Sequence, residues 1–242
     1  MLIQKFLVEE AKIRVIHNGV IIHDLNINHK RHKNNDIFKV GYIGRLDTPK
    51  GVHILIKAFK TVEKNIELEI AGDGVLLNDL KKQAEGMNNV KFIGRVDEPY
   101  TFLKSCHMLV VPSIREPLGN VCLEAGICSL PVVAANIDGL PEIIVDTVSG
   151  ELIKATSPLS LSKVILSALP HSEVVYDPVS NKTKPPLEIN AHDLVDKIHK
   201  FRNNPDLCEK YGVNLHDKVV KYFTMERYIS ELHSLYFELC KE

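Results

Sequence analysis

The sequence predicts an α/β fold, a Rossmann-like parallel sheet with helices on both faces, followed by additional C-terminal helices. The first observation is that short apolar runs alternate with longer amphipathic stretches from residue 38 onward. This alternation is typical of a parallel sheet covered by helices. The second observation is that charged residues and glycines follow several of the apolar runs directly, at the position where such sheets bind ligands.

The strands are predicted first, because each apolar run is short and is bounded by turn-forming residues. The predicted strands span residues 38–43, 66–71, 90–93, 107–111, 131–134 and 151–153. The helices between them are predicted at residues 51–63, 76–85, 98–105, 119–129 and 138–145. In the first helix, one stripe is apolar and the opposite side carries lysines that face water. The apolar stripe comprises Val52, Leu55, Ile56 and Phe59.

Residues 155–189 are rich in proline, which predicts a short helix at 159–168 and then an irregular loop. Helical periodicity returns at residues 191–202, 205–220 and 225–240. The last of these helices is apolar enough to need a partner surface. We therefore expect an exposed hydrophobic patch, and with it self-association or a partner chain.

The composition is that of an ordinary globular protein and excludes several classes. The chain has 242 residues, and 30 basic against 31 acidic side chains give a formal net charge of -1. This balance predicts no nucleic-acid partner, since such proteins usually carry a basic excess. No apolar stretch is long enough to cross a bilayer, and the N-terminus lacks a signal-peptide layout. The default expectation is a cytoplasmic protein.

Cysteines and histidines show no metal-binding pattern. The five cysteines include no C-x-x-C pair, and they are interpreted as reduced, mostly buried small hydrophobes. The 11 histidines are scattered, without a carboxylate at a ligand spacing. His107, at the start of a predicted strand, is interpreted as structural. We expect no metal site and no cofactor.

The most informative segment is residues 112–125, P-S-I-R-E-P-L-G-N-V-C-L-E-A. It predicts a buried strand that ends in a tight turn and opens a helix. Pro117 suits a first helical position, Gly119 allows a ligand close to the backbone, and the unpaired N–H groups of the first turn attract an anion. Glu116 and Glu124 can accept hydrogen bonds from hydroxyl groups. The segment therefore predicts a site for a ligand that carries both phosphates and hydroxyls.

These residues resemble the retaining nucleotide-sugar glycosyltransferases of the GT-B fold, most closely family 4. Glu116 and Glu124 match the E-x7-E element of that family, and residues 44–51, G-R-L-D-T-P-K-G, match its G-R-L-x-x-x-K-G segment. Further matches are residues 71–74, residues 90–96, and residues 138–142 with the Ser-Gly pair at 149–150 that follows them, which together form one motif. The order and spacing agree over residues 13–154, and five ordered motifs are far more specific than one glycine-rich turn.

The resemblance implies a domain organisation. A full enzyme of this kind has two Rossmann-like domains, and the acceptor sits mainly on the first, which the resemblance leads us to expect to be missing from this sequence. Residues 1–22 resemble the remnant of that domain and its linker, and residues 23–36 form a polar loop. Residues 37–222 correspond to the donor-binding domain, and residues 223–242 to a C-terminal helix. Surface-docking residues belong mostly to the missing half, so a peripheral position at the inner face of the membrane stays open.

The resemblance also implies residue roles. Arg45 and Lys50 stabilise the charge that develops on the leaving diphosphate, and Glu116 lies against the transferred sugar. Glu124 holds the ribose hydroxyls, and the backbone near residues 94–96 meets the base. No protein nucleophile and no metal are then required. The implied catalytic residues are Arg45, Lys50 and Glu116, and the implied donor-binding residues are Gly44, Arg95, Val96, Leu118, Gly119, Asn120, Val121 and Glu124.

Some positions have plainer interpretations or depart from the family. Taken singly, Arg45 and Lys50 are ordinary surface residues near a strand end and a helix start. The turn at residues 72–74 is interpreted as backbone geometry alone, and Glu142 is not assigned to the site. The family usually has two glycines where this chain has Asp138 and Gly139, which leaves the contact of that loop with the donor open.

Three functions are compared. The first is a retaining glycosyltransferase that moves a sugar from a nucleotide-diphosphate donor to a glycan or lipid-linked acceptor, as in polysaccharide or lipopolysaccharide biosynthesis. The second is a module that binds the donor but is inactive without a separate acceptor domain. The third, a nucleotide-sugar epimerase or dinucleotide oxidoreductase, has less support because no G-x-G-x-x-G follows a predicted strand.

Overall fold

The computed structural model describes residues 8–22, 37–159, 175–177 and 182–241. Its strands are β1 (Phe38–Ile43), β2 (Ile66–Ala71), β3 (Val90–Gly94), β4 (Met108–Val111), β5 (Val132–Asn136), β6 (Gly150–Pro158), β7 (Val175–Asp177), β8 (Lys182–Lys184) and β9 (Leu187–Ile189). Its α-helices are α1 (Val52–Phe59), α2 (Leu77–Gln83), α3 (Pro99–Ser105), α4 (Asn120–Ile127), α5 (Leu140–Ile143), α6 (Ala191–Arg202), α7 (Pro205–Tyr222) and α8 (Met225–Leu239). Two 3₁₀ turns, Glu10–Lys12 and Thr48–Lys50, complete the described elements.

Seven of the described strands form one sheet in the order β3-β2-β1-β4-β5-β6-β9. The first six run parallel to one another, and β9 pairs with β6 in the antiparallel direction. All four residues of β4 are buried, as expected for a central strand that is covered on both faces. The predicted α/β fold with a Rossmann-like sheet is confirmed.

The predicted strands agree with the observed ones, while several helices are shorter than predicted. Helix α1 ends at Phe59 rather than at residue 63, and α5 is a single turn. The last of the predicted strands, β6, extends well beyond the predicted residues 151–153. Periodicity marks the apolar face of a helix well, but its end depends on local turns that periodicity does not report.

The irregular loop predicted before residue 190 is wrong in part. Strands β7 and β8 pair with each other, and β9 forms the edge of the main sheet. Three-residue strands carry too little alternation to be recognised, and β9 is held by tertiary contacts instead. Oε2 of its buried Glu188 lies 2.9 Å from Nε2 of His53 in α1, which is also buried. The helix predicted at 159–168 lies almost wholly outside the described residues.

Helices from the C-terminal third cover the sheet and close the core. Helix α6 packs on α1, and α7 packs on α4.

His107 has a structural contact, since its Nδ1 accepts a hydrogen bond from the backbone N–H of Lys39 at 2.8 Å. The division into domains that the resemblance implies stays a prediction, and residues 1–7 and 23–36 lie outside the described part.

Helix α8 has no buried residue in the structure. More than half of the surface of each of its outward apolar side chains is exposed, namely Ile229, Tyr236, Phe237 and Leu239. The exposed apolar surface expected from the sequence is therefore present, while its partner stays a prediction. Within the described residues, no helix has the length and apolar character needed to cross a membrane.

Candidate functional site

A cleft opens at the carboxyl ends of β1 and β4, where the sheet order changes direction. From β1 the chain proceeds through β2 to β3 on one side, and then crosses to β4 on the other. Loops that diverge at such a point leave a crevice, which is the usual ligand site of an open parallel sheet. The first cleft has a volume of about 390 Å³. Its lining includes Asn18, Gly44, Arg45, Lys50, Ser113, Glu116, Leu118, Gly119, Asn120 and Val121.

The loops after β1 and β4 are bonded directly to each other. The carbonyl oxygen of Pro49 accepts hydrogen bonds from the backbone N–H groups of Ile114 at 2.7 Å and of Arg115 at 3.2 Å. Gly51 has a left-handed φ of 68°, and a Cβ at this position would lie 2.0 Å from the carbonyl oxygen of Pro112. Only glycine fits this approach. The close packing places Lys50 opposite Glu116.

Lys50 and Glu116 form an ion pair inside the cleft. Lys50 Nζ donates to Glu116 Oε2 at 2.6 Å, and the hydroxyl of buried Ser113 donates to the same oxygen at 3.1 Å. The side chains of Lys50 and Glu116 are only 21% and 10% exposed, so water screens the pair weakly. The carboxylate is thus held in one orientation, and no described residue donates a hydrogen bond to its Oε1.

A second cleft of about 410 Å³ adjoins the first and shares Ile43, Gly44 and Arg45 with it. Its other lining residues are Gly72, Asp73, Arg95 and Val96. The Arg45 side chain is 74% exposed and pairs with Asp47 at 3.1 Å. Arg45 is one of the residues that line both clefts. The arrangement suits an elongated ligand with two dissimilar ends joined by an anionic group.

Tyr42 supports the turn that carries Arg45. Its hydroxyl donates to the carbonyl oxygen of Arg45 at 2.7 Å. Burial, together with the nearby carboxylates of Asp47 and Glu116, raises the pKa of Tyr42 far above its ordinary value. The phenol therefore stays protonated and acts as a fixed donor.

The N-terminus of α4 forms one wall of the first cleft. Gly119 precedes the helix, and Asn120 and Val121 begin it. Backbone N–H groups in a first turn lack partners four residues earlier, and they point out of the helix end. This end of the cleft can therefore attract an anion through oriented N–H groups and the helix dipole.

A family model described as glycosyl transferases group 1 matches residues 25–184. The chain belongs to this family.

Two similar proteins match this chain over different shares of its length. An uncharacterised glycosyltransferase of Methanocaldococcus jannaschii is 34% identical over 137 residues, which are 55% of this chain and 38% of the relative. The capsular polysaccharide biosynthesis glycosyltransferase CapM of Staphylococcus aureus is 26% identical over 215 residues, or 86% and 48% of the two chains. The chain thus spans half or less of the length of these relatives.

A solved structure shows the same fold. Anabaena HepE in complex with UDP and glucose superposes with a TM-score of 0.70. It is 21% identical, and the match covers 93% of this chain and 57% of HepE.

The structure brings almost all of the residues implied by the resemblance to these two clefts. Arg95 and Val96 line the second cleft only, and Gly44 and Arg45 line both. Glu124 lines neither cleft. It lies one turn further along α4, partly buried, and burial raises the pKa of its carboxyl.

Asp73 and Asn18 are among the cleft residues that were not anticipated as site residues. Asp73, interpreted from the sequence as part of a turn, does accept the N–H of Gly74 at 2.8 Å, and it also lines the second cleft. Asn18 lines the first cleft, and its Nδ2 donates to Oδ1 of Asn120 at 2.9 Å. The Asn18-Gly19 dipeptide was the available sequence signal, but nothing local tied it to residues a hundred positions away.

Tertiary contacts hold the segment around Asn18 in place. The guanidinium of Arg227 in α8 donates to the carbonyl oxygens of His17 at 2.6 Å and Asn18 at 3.3 Å. His17 also contacts the Glu142 carboxylate, a residue that was not assigned to the site. Asn18 is therefore held in the wall of the first cleft by contacts with α4 and α8.

The described residues include no cluster of three or more histidine, cysteine, aspartate or glutamate side chains that could hold a metal ion. The expectation of metal-independent binding stays a prediction.

Proposed function

We propose that this chain is the donor-binding part of a retaining GT-B glycosyltransferase of family 4 type. In the whole protein it would transfer a sugar from a nucleotide-diphosphate donor to a glycan or lipid-linked acceptor. The observation that carries the proposal is the pair of adjoining clefts that meet at Gly44 and Arg45. A nucleotide-diphosphate sugar needs one cleft for its nucleoside, another for its sugar, and a junction between them for its diphosphate. The presence of UDP and glucose in HepE, a protein of like fold, supports it.

In this proposal the diphosphate lies between Arg45 and the N-terminus of α4. Arginine supplies two parallel donors to phosphate oxygens, and the helix end supplies backbone N–H groups. Both stabilise negative charge where it grows as the sugar leaves. Leu118, Gly119, Asn120 and Val121 contribute the wall around the leaving group.

The sugar is proposed to lie against Glu116. Oε2 of this carboxylate is engaged by Lys50 and Ser113, so Oε1 is the atom available to a sugar hydroxyl. Lys50 consequently acts in two ways, as the partner of Glu116 and as a cation near the diphosphate. The nucleoside is proposed to occupy the second cleft near Arg95 and Val96, with Glu124 at the ribose side.

Reaction on one face of the sugar, with the departing phosphate helping to remove the acceptor proton, needs no protein nucleophile. No divalent metal is proposed, since Arg45, Lys50 and the helix end supply positive charge. A second candidate is a module that binds donor without turnover. The short span of the chain relative to CapM favours testing it.

The test is calorimetric titration with UDP, GDP, ADP and CMP, each with magnesium and with chelator. We expect saturable, metal-independent binding of one diphosphate, weakened by Arg45→Ala and by Glu124→Ala. The exposed Lys91→Ala, on edge strand β3, is the matched control and should bind normally. Absence of binding by the unsubstituted chain would contradict the proposal. Sugar transfer by the chain alone would remove the second candidate.

A further inference from the structure

The backbone of Glu116 is clamped by the loop between β5 and α5. The N–H of Glu116 donates to Oδ2 of Asp138 at 2.9 Å, and its carbonyl oxygen accepts from the N–H of Gly139 at 3.2 Å. Both polar groups of the Glu116 main chain are therefore bonded to two consecutive residues of another loop. The N–H of Glu116 is therefore not available to donate a hydrogen bond to a ligand in the cleft.

Asp138 is itself held in an uncommon conformation. Its φ is 43°, in the left-handed region that non-glycine residues seldom adopt, although aspartate tolerates it better than most. Its Oδ2 also accepts from Nε of Arg115 at 2.9 Å. A strained residue persists only where its surroundings determine it strongly, and here the carboxylate bonds to two adjacent residues of the partner loop.

The loop that carries Asp138 and Gly139 packs closely against the loop after β4. A Cβ on Gly139 would lie 2.2 Å from the carbonyl oxygen of Pro117, so the two loops are in backbone contact. The ion pair between Arg115 and Asp138 lies at the outer edge, where the two side chains are 48% and 26% exposed. The Asp138 carboxylate is thus held by two donors, the side chain of Arg115 and the backbone N–H of Glu116.

We propose that Asp138 is a positioning residue that sets Glu116 for the transferred sugar. Lys50 and Ser113 fix the side chain of Glu116 at Oε2, while Asp138 and Gly139 fix its main chain. Oε1 then has a defined position in the cleft. This inference rests on the proposed function, and it assigns a purpose to the aspartate that stands where the family usually has glycine. Displacement by a fraction of an ångström is enough to weaken such a contact.

The test compares two ligands rather than one. The diphosphate that the first titration selects and its hexose conjugate, for example UDP and UDP-glucose, are each titrated into the chain and its variants. Asp138→Gly suits the backbone but removes the carboxylate. We expect nearly unchanged binding of the diphosphate and about five- to tenfold weaker binding of the sugar conjugate, as for one lost hydrogen bond. Asp138→Asn keeps an acceptor oxygen and should restore most of the preference.

The control is Asp146→Asn together with Asp146→Gly, because Oδ1 of Asp146 accepts the N–H of Leu152 at 2.8 Å and Asp146 lines neither cleft. These variants should not alter the ratio of the two affinities. If Asp138→Gly leaves the ratio of the two affinities unchanged, the inference is overturned. This includes the case in which both affinities fall by the same factor, which would indicate a merely structural role.

A second measurement separates this inference from the proposed function. Amide hydrogen exchange at Glu116 is recorded without ligand. We expect protection in the unsubstituted chain and in Asp138→Asn, and at least tenfold faster exchange in Asp138→Gly, with the Leu152 amide unaffected. If no diphosphate binds, the proposed function fails, whereas unaltered exchange at Glu116 would contradict the clamp itself.

Discussion

Lys50 Nζ lies 2.6 Å from Oε2 of Glu116, although 66 residues separate them in the chain. The contact exists because the loop after β1 is bonded through Pro49 to the loop after β4. It joins two residues that the resemblance assigns to different parts of the donor. The charge on one therefore affects how the other meets its ligand.

Removing one member of this pair should destabilise the protein. Lys50→Met leaves a poorly solvated carboxylate, so we expect the free energy of unfolding to fall by about 1–3 kcal/mol, and Glu116→Gln to cost a similar amount. The double variant should lose less than the sum, as measured by urea unfolding. Lys91 and Glu67 provide the control, since they also lie 2.6 Å apart but Lys91 is 49% exposed. Their coupling should be smaller, and additive losses at Lys50 and Glu116 would contradict the prediction.

Arg45 should matter for binding much more than for stability. Its side chain is largely exposed and, among the residues that the structure describes, pairs with Asp47 alone, so Arg45→Ala should change the free energy of unfolding by less than about 0.5 kcal/mol. Loss of its charged hydrogen bonds should weaken diphosphate binding by about 10- to 100-fold. Calorimetry tests the expected loss of affinity, and urea unfolding tests the expected lack of change in stability. Arg14→Ala, at an exposed arginine whose side chain donates to the local carbonyl oxygens of Ala11 and Ile13, should leave the affinity unchanged.

Asn18 should contribute to the affinity although it lies in the N-terminal segment. Asn18→Ala removes the hydrogen bond to Asn120 at the start of α4, and we expect about three- to tenfold weaker diphosphate binding. Asn214→Ala is the matched control, because it removes a side-chain amide bond to the carbonyl oxygen of Val148. A loss of the same size in both variants would refute a specific role for Asn18.

Glu124 should make stability depend on pH in a recognisable direction. Burial raises the pKa of its carboxyl above the ordinary value of 4.5, so the folded protein binds this proton more tightly than the unfolded chain does. The chain loses stability relative to Glu124→Gln as pH rises from below 4.5 through the folded pKa. The thermal midpoint of Glu124→Gln should therefore be higher at pH 7 and equal at low pH, while its donor affinity is lower. Glu85→Gln, at an exposed position, should show neither effect.

Glu151 should show the opposite dependence. Its side chain is fully buried in β6 and contacts the ammonium groups of Lys197 and Lys200. Burial alone would raise the pKa of Glu151, but hydrogen bonds and charge from the two lysines lower it below the ordinary value of 4.5. Its contribution to stability is then complete above that value and is lost as pH falls through the folded pKa.

Glu151→Gln should accordingly reduce the free energy of unfolding by about 1–3 kcal/mol at pH 7. The difference from the unsubstituted chain should shrink as the solution is acidified. Urea unfolding at several pH values measures it, and a difference that does not vary with pH would contradict the assignment.

The site was predictable where its signal is local. The turn from β4 into α4, with Glu116 and Glu124 at their spacing, and the segment around Arg45 are contiguous motifs whose chemistry is readable in the residues themselves. Asn18 was missed because its partner Asn120 is 102 positions away. Strand β9 was missed because three residues carry no measurable periodicity, and buried Glu188 gained its place only from contact with His53.

The sequence by itself determined the order of the first six strands and of the helices between them, the absence of a charge excess, and the residue types that end each central strand. Those features follow from local patterning of apolar and polar groups. Only the tertiary structure decided that Lys50 pairs with Glu116, that Asp138 bonds to the Glu116 backbone, and that Glu124 lies one turn along α4 and is not a lining residue of either cleft. These relationships depend on how separate loops pack at the carboxyl edge of the sheet, and sub-ångström packing between distant segments leaves no periodic trace in the chain.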